Sequence, residues 1–69
     1  MSQSWDGKGS IEVELLGHDG NAFMILGRTQ NAMRQAGATQ EEVDQYHEEA
    51  TSGDYDHLLS VTDDWVIIT

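Results

Sequence analysis

Cysteine is absent from this sequence of 69 residues. Disulfide bonds and zinc sites built from thiolates are therefore excluded, and the fold must be held by its own packing or by a partner subunit. A chain this short has room for one hydrophobic core. The length thus predicts a single small domain of marginal stability.

Basic residues are also scarce. Three Lys and Arg stand against thirteen Asp and Glu, which gives a formal net charge of −10. This charge repels nucleic-acid phosphate and anionic lipid over about a Debye length, ~8 Å in physiological salt. We therefore expect no direct binding to nucleic acid or to a membrane, and we expect a protein partner to carry a basic surface.

Long apolar runs are missing as well. The longest covers residues 22–26, and a second covers residues 65–68; both are far shorter than the ~18 residues that suggest a membrane span. The first residues show no basic-then-apolar signal pattern. A cytoplasmic location is the expectation.

Residues 1–10 contain Ser, Gly and Gln without any hydrophobic period. This composition predicts a flexible N-terminal tail, in which Trp5 alone could act as an anchor, and a fold confined to residues 11–69. Residues 11–16 alternate between apolar and polar side chains, which predicts a half-buried strand with Ile11, Val13 and Leu15 on its inner side.

Three helices are predicted between this strand and a second one at residues 65–68. Asn21, Thr39 and Asp54 are suited to cap their N-termini, and Thr39 forms a capping box with Glu42. The predicted inner stripes are Ala22, Ile25, Leu26, Thr29, Ala32, Met33 and Ala36, then Val43, Tyr46, His47 and Ala50, and then Tyr55, Leu58, Leu59 and Thr62. Tyr46, Tyr55 and Trp65 are expected in the core.

Two glycines bear on the first helix. Gly37 is suited to end it. Gly27 lies inside it, at a cost of about 1 kcal/mol relative to alanine, which predicts a close contact at that position.

The predicted fold is therefore a small α+β domain of order β-α-α-α-β, with two short parallel strands and the helices packed on one face. A two-stranded sheet is marginal in water, and its open edges are templates for pairing. A homodimer that completes the sheet is expected on this ground. Phe23 and Met24 lie off the inner stripe and are candidates for a dimer or partner contact.

Three segments of this sequence read DGNAF at residues 19–23, LGR at 26–28 and ATSGDYD at 50–56. In this order they resemble a family of short proteins from bacteria and their phages, and the likeness runs from about Ile11 to Trp65. The resemblance implies a self-contained fold with a peripheral tail, and it points to a phage or mobile-element origin. It supplies no site residues and no activity.

The strongest candidate site is the acidic face of the second helix. Its five carboxylates are Glu41, Glu42, Asp44, Glu48 and Glu49. Such a dense negative field can imitate a nucleic-acid backbone and occupy the groove of a nucleic-acid-binding protein. The resulting hypothesis is an inhibitor or regulator that acts by mimicry. The competing interpretation is an ordinary solvated helix face.

A second candidate is the turn before the first helix. It comprises Gly17, His18, Asp19, Gly20 and Asn21, and Arg28 follows about two helical turns later. Free amides at a helix N-terminus can hold an anion, so a nucleotide or phosphorylated metabolite is the alternative ligand. The pattern matches neither the nucleotide P-loop nor the dinucleotide fingerprint, and a purely structural turn is the favoured interpretation.

Catalysis, metals and cofactors are not expected. The chain has no Cys nucleophile and no serine in a nucleophile-elbow pattern. Residues 47–49 and 54–57 combine His with carboxylates, but their spacing matches neither a calcium loop nor a zinc protease motif. The sequence therefore favours a binding protein over an enzyme.

Overall fold

The computed structural model describes residues 3–17 and 20–69. Its elements follow the order β1 (Glu12–Val13), α1 (Ala22–Ala36), α2 (Gln40–Ala50), α3 (Tyr55–Trp65) and β2 (Ile67–Ile68). The two strands pair in parallel, with Glu12 opposite Ile67 and Val13 opposite Ile68. The predicted β-α-α-α-β order is confirmed. Both strands are shorter than predicted, and Trp65 ends α3 instead of opening β2.

The helix boundaries follow from local capping chemistry. The side chain of Asn21 accepts a hydrogen bond from the Phe23 amide at 2.8 Å and so begins α1. At α2, Thr39 Oγ1 accepts from the Glu42 amide, and Glu42 Oε1 accepts in return from the Thr39 amide. These reciprocal bonds satisfy backbone donors that the first helical turn leaves free.

The core lies where the three helices meet the two strands. Its fully buried large side chains include Ile11, Met33, Val43, Tyr46 and Val66. Tyr46 Oη is 2.7 Å from Thr62 Oγ1, whose own hydrogen is donated to the Leu58 carbonyl. Tyr46 is therefore the donor of this pair. Burial raises the pKa of the Tyr46 phenol.

Two inner-stripe predictions are wrong. Tyr55 is 45% exposed, and His47 is also on the surface. Tyr55 is the first residue of α3, and its hydroxyl donates to the Gly20 carbonyl just before α1. The ring therefore lies near the N-terminus of α1 and is not buried in the core. His47 stands at the margin of its stripe, because Val43, Tyr46 and Ala50 already fill the buried arc of α2.

The segment from Trp5 to Ser10, placed outside the fold by the sequence analysis, packs against it. The Trp5 ring stacks on Trp65 with ring centroids 6.3 Å apart. The Trp5 amide donates to the Ala36 carbonyl at 2.7 Å, and the Gly9 amide donates to the Trp65 carbonyl at 2.9 Å. Packing removes the apolar surface of the Trp5 ring from water, which is favourable. This contact holds the segment against the domain.

The outer edge of β1 is occupied by side chains. Gln3 Nε2 donates to the Glu12 carbonyl at 2.7 Å, while the Glu12 amide donates to Gln3 Oε1 at 2.6 Å. The Gln3 amide thus bonds to β1 as a neighbouring strand would. Further along, Arg28 Nε donates to the Glu14 carbonyl. An edge-to-edge dimer through β1 would have to displace both side chains, so β2 offers the less obstructed edge.

The expected close contact at Gly27 is not present. Gly27 is exposed, and a Cβ added there would meet no atom within 4 Å. By contrast, Gly37 has φ of 104° in the left-handed region and ends α1 as predicted.

Replacing Gly27 by alanine is therefore expected to raise the free energy of unfolding by about 0.5–1 kcal/mol, because alanine loses less backbone entropy in a helix. Urea denaturation followed by circular dichroism measures this change. The matched control is Gly37→Ala, which should destabilise the domain because alanine disfavours positive φ. Destabilisation by Gly27→Ala would show that this position needs glycine for a reason outside the helix.

Candidate protein-binding face

The acidic residues of α2 divide into two groups according to helix geometry. At about 100° per residue, Glu41, Asp44 and Glu48 fall within an arc of about 60°. All three are exposed. We call these three residues the acidic stripe.

The other two predicted carboxylates serve the fold. Glu42 and Glu49 are half-buried on the flank of α2 that faces the two tryptophans. Trp5 Nε1 donates to Glu42 Oε2 at 2.8 Å, and Trp65 Nε1 donates to Glu49 Oε1 at 3.2 Å. Indole N–H groups need such partners when their rings are packed. The predicted five-carboxylate face is thus a stripe of three with two structural carboxylates beside it.

The environment of Glu42 favours its charged form. Its pKa is lowered first by the hydrogen bond from the Thr39 backbone amide and then by the bond from the Trp5 indole. Because the folded-state pKa lies below the unfolded value, the ionised carboxylate stabilises the fold at neutral pH. This contribution is lost as the pH falls through the folded-state pKa.

The basic side chains of the chain belong to segments other than α2. Lys8 pairs with Asp64 at 3.1 Å, and its Nζ is 4.6 Å from the centroid of the Trp65 ring. Arg28 pairs with Glu14 at 3.9 Å. Arg34 lies in the last turn of α1, where a cation interacts favourably with the helix dipole. No Lys or Arg occurs within α2 itself, so its own helix does not neutralise the acidic stripe.

The turn before α1 is only partly described, since His18 and Asp19 lie outside the described residues. Gly17 and Gly20 have φ of 85° and 72°, which favour glycine. The Asn21 side chain already accepts from a first-turn amide of α1, and the Gly20 carbonyl accepts from Tyr55. Arg28 is bound to Glu14 by the ion pair and by its Nε bond. The Asn21 cap thus already binds a first-turn amide of α1, and Glu14 already binds the Arg28 guanidinium. The ligand hypothesis assigns both of these groups to an anion.

One Ser–His pair invites comparison with a catalytic nucleophile and base. His57 Nε2 is 3.1 Å from Ser52 Oγ and 2.9 Å from the Glu49 carbonyl. Because a carbonyl only accepts, Nε2 carries the hydrogen and cannot take a proton from Ser52 in this arrangement. Ser52 itself donates to the Glu49 carbonyl at 2.7 Å. Ser52 and His57 thus both donate to the Glu49 carbonyl, one of the acceptors that the last turn of α2 leaves free. This role is structural.

Neither a metal cluster nor a membrane span is found in the described part of the chain. Across residues 3–17 and 20–69, no three His, Asp or Glu side chains are grouped so that they could hold a metal ion. Within the same residues, no helix has both the length and the apolarity needed to cross a bilayer. Asp54, part of the 54–57 cluster, accepts from the His57 amide and caps α3.

Large apolar side chains on the surface form a further feature of the molecule. Phe23 is 85% exposed, Leu16 70% and Ile67 49%. The exposure of Phe23 agrees with its predicted place off the inner stripe of α1, whereas Met24 is half-buried against the core. Sequence reasoning missed Leu16, although Leu15 and Leu16 are consecutive and a strand turns adjacent side chains to opposite faces.

No protein-family model matches this chain, and neither does any curated protein or solved structure.

Proposed function

We propose that this protein is a small, acidic, non-catalytic binding protein that engages a basic surface of a protein partner through the acidic stripe. The observation that carries the proposal is the exposed arc of Glu41, Asp44 and Glu48 on a helix that contains no Lys or Arg. The helix fixes the backbone positions of these carboxylates, and their combined field attracts a cationic partner from a distance.

A nucleic-acid-binding protein is the partner that best fits this charge arrangement. Helix rise places the three carboxylates about 4.5 and 6 Å apart along the axis, while one DNA strand carries a phosphate about every 3.4 Å. The stripe thus offers negative charge at a spacing of the same order. A protein that binds phosphates with Lys and Arg could accept it in place of nucleic acid, which would make this chain an inhibitor or regulator.

The test uses two charge-reversal variants of equal net charge. Glu41→Lys/Glu48→Lys removes the two ends of the stripe, and Asp6→Lys/Glu12→Lys is the matched control at exposed positions outside α2. Each Glu-to-Lys or Asp-to-Lys change adds two positive units, so both double variants change the net charge from −10 to −6. Immobilised wild type and variants are compared for capture from host-cell lysate at low and raised salt.

We expect wild type and the Asp6/Glu12 variant to retain a nucleic-acid-binding protein at low salt and to lose it at raised salt. The Glu41/Glu48 variant should bind the purified partner at least about tenfold more weakly, a change that corresponds to ~1.4 kcal/mol. Duplex DNA should compete with the wild type for that partner. Equal weakening by both variants would exclude the stripe as the site, and a failure of DNA to compete would exclude mimicry.

A further inference from the structure

An apolar groove lies between α3 and the ends of the two strands, away from the acidic stripe. Its volume is about 570 Å³, and its apolar lining is Leu15, Leu16, Ile25, Tyr55, Leu59 and Ile68. We call it the α3 groove. A smaller hollow of about 310 Å³ shares Tyr55 and is lined by Phe23. The two hollows therefore adjoin at Tyr55, and together they form an apolar region on this side of the molecule.

Side chains that belong to this region are unusually exposed for their size. Leu16, Tyr55 and Phe23 all present large apolar surfaces to solvent. Contiguous exposed apolar surface of this kind marks interaction sites in small proteins. Tyr55 also spans two elements, because its hydroxyl donates to the Gly20 carbonyl and fixes the ring between the two hollows.

The wall formed by α3 has the geometry of a helix-packing surface. Tyr55, Leu59 and Asp63 are spaced four residues apart and all line the groove. Residues at this spacing form a ridge along a helix, and such ridges pack against the side chains of another helix. The groove is therefore shaped for a helical occupant that lies along α3.

Charge specifies what kind of helix fits. The described residues that line the α3 groove include one acid, Asp63, and no Lys or Arg. Asp56, seven residues before Asp63, lies at nearly the same angle around α3 and is exposed. A second copy of the chain would bring another ten negative charges, whereas a cationic helix would be attracted.

We propose that the α3 groove binds a basic amphipathic helix of a partner protein. Its apolar side chains would sit against Leu16, Tyr55 and Leu59, and its Lys or Arg residues would face Asp56 and Asp63. This mode of recognition lays the apolar face of a helix into a hydrophobic groove. The inference adds a second surface to the molecule and does not depend on the acidic stripe.

The probe is a synthetic, amidated Leu/Lys peptide of about five helical turns, with leucines at i, i+3, i+4 and i+7 and a fluorescent label. Binding is followed by fluorescence anisotropy at raised salt, where interactions between exposed charges are screened. We expect saturable binding to the wild type. Leu16→Ser should weaken it about tenfold, the change expected when the burial of one leucine is lost. Asp63→Asn should weaken it a few-fold when the titration is repeated at low salt, where the charge of Asp63 is less screened.

The matched control is Ile67→Ser, because Ile67 is also a large exposed aliphatic residue but does not line the groove. This variant should bind as wild type does, and so should Glu41→Lys/Glu48→Lys if the groove acts independently of the stripe. Both Leu16 and Ile67 are surface residues, so circular dichroism should show intact folds. Equal weakening by Leu16→Ser and Ile67→Ser would overturn the proposal.

Two further measurements discriminate among other occupants. In ¹⁵N-labelled protein, the peptide should shift the amide signals of Leu16, Ile25 and Leu59; shifts confined to α2 would assign the peptide to the acidic stripe and overturn the groove. A scrambled peptide of equal composition should bind at least about tenfold more weakly, because its leucines no longer share one face. Equal binding of the two peptides would show that charge alone causes the interaction and would overturn the proposal. Concentration-dependent shifts of the groove signals without peptide would identify a second copy as the occupant.

Discussion

Replacing Trp65 by alanine is expected to lower the free energy of unfolding by about 3–5 kcal/mol, the range observed when a large buried aromatic is truncated. Trp65 is 3% exposed. It meets the edge of Tyr46 at 6.0 Å between ring centroids and stacks on Trp5 at 6.3 Å. A domain of this length has a total stability of only about 3–10 kcal/mol. The variant should therefore be largely unfolded, or close to it, at room temperature.

Urea denaturation followed by far-ultraviolet circular dichroism measures this effect without relying on tryptophan fluorescence. The control is Trp65→Phe, which keeps an aromatic ring against Tyr46 but loses the indole bond to Glu49. We expect that variant to remain folded with a loss of about 1–2 kcal/mol. A folded Trp65→Ala variant of near wild-type stability would mean that Trp65 is not the centre of the core.

Replacing Trp5 by alanine is expected to cost about 2–3 kcal/mol. The ring is half-buried, so the loss should be smaller than for Trp65. Two interactions disappear together, namely the stack on Trp65 and the indole bond to Glu42 at 2.8 Å. The Glu42 carboxylate then keeps its bond from the Thr39 amide, which preserves the start of α2.

The control for Trp5→Ala is Ser4→Ala, an exposed neighbour whose replacement should change stability by less than about 0.5 kcal/mol. Hydrogen exchange offers a direct check, because the Trp5 amide donates to the Ala36 carbonyl in the folded chain. Trp5→Ala should speed exchange at that amide. If Trp5→Ala leaves the stability unchanged, residues 1–10 behave as the flexible tail that their composition predicts.

Local patterns were sufficient for the helices. Capping by Asn21, Thr39 and Asp54, and termination at Gly37, depend on backbone groups within a few residues, so the sequence can be analysed one helix at a time. The short strands were harder to place. A two-residue ladder has almost no periodicity of its own, and the choice of Trp65 as helix or strand depends on the Val66 amide bonding to the Thr62 carbonyl.

The structural role of Glu42 and Glu49 could not be predicted in the same way. Helical spacing places both residues on the flank of α2, between the acidic stripe and the buried arc, but it does not reveal what they contact. Glu42 and Glu49 are structural because Trp5 and Trp65, from opposite ends of the chain, pack beside them. Each tryptophan has an indole N–H that needs an acceptor. No pattern within α2 contains this information, because the partners lie 37 and 16 residues away.

The sequence by itself determined the N-termini of the three helices, the end of α1 at Gly37, the α+β order and the net charge of −10, because each follows from neighbouring residues or from a sum over all of them. The tertiary structure alone decided that Trp5 packs on the core, that Glu42 and Glu49 bind the two indole N–H groups, and that Leu16 and Tyr55 border an apolar groove. These features depend on which distant side chains meet. Such meetings are fixed by packing the whole chain, and local propensity cannot specify them.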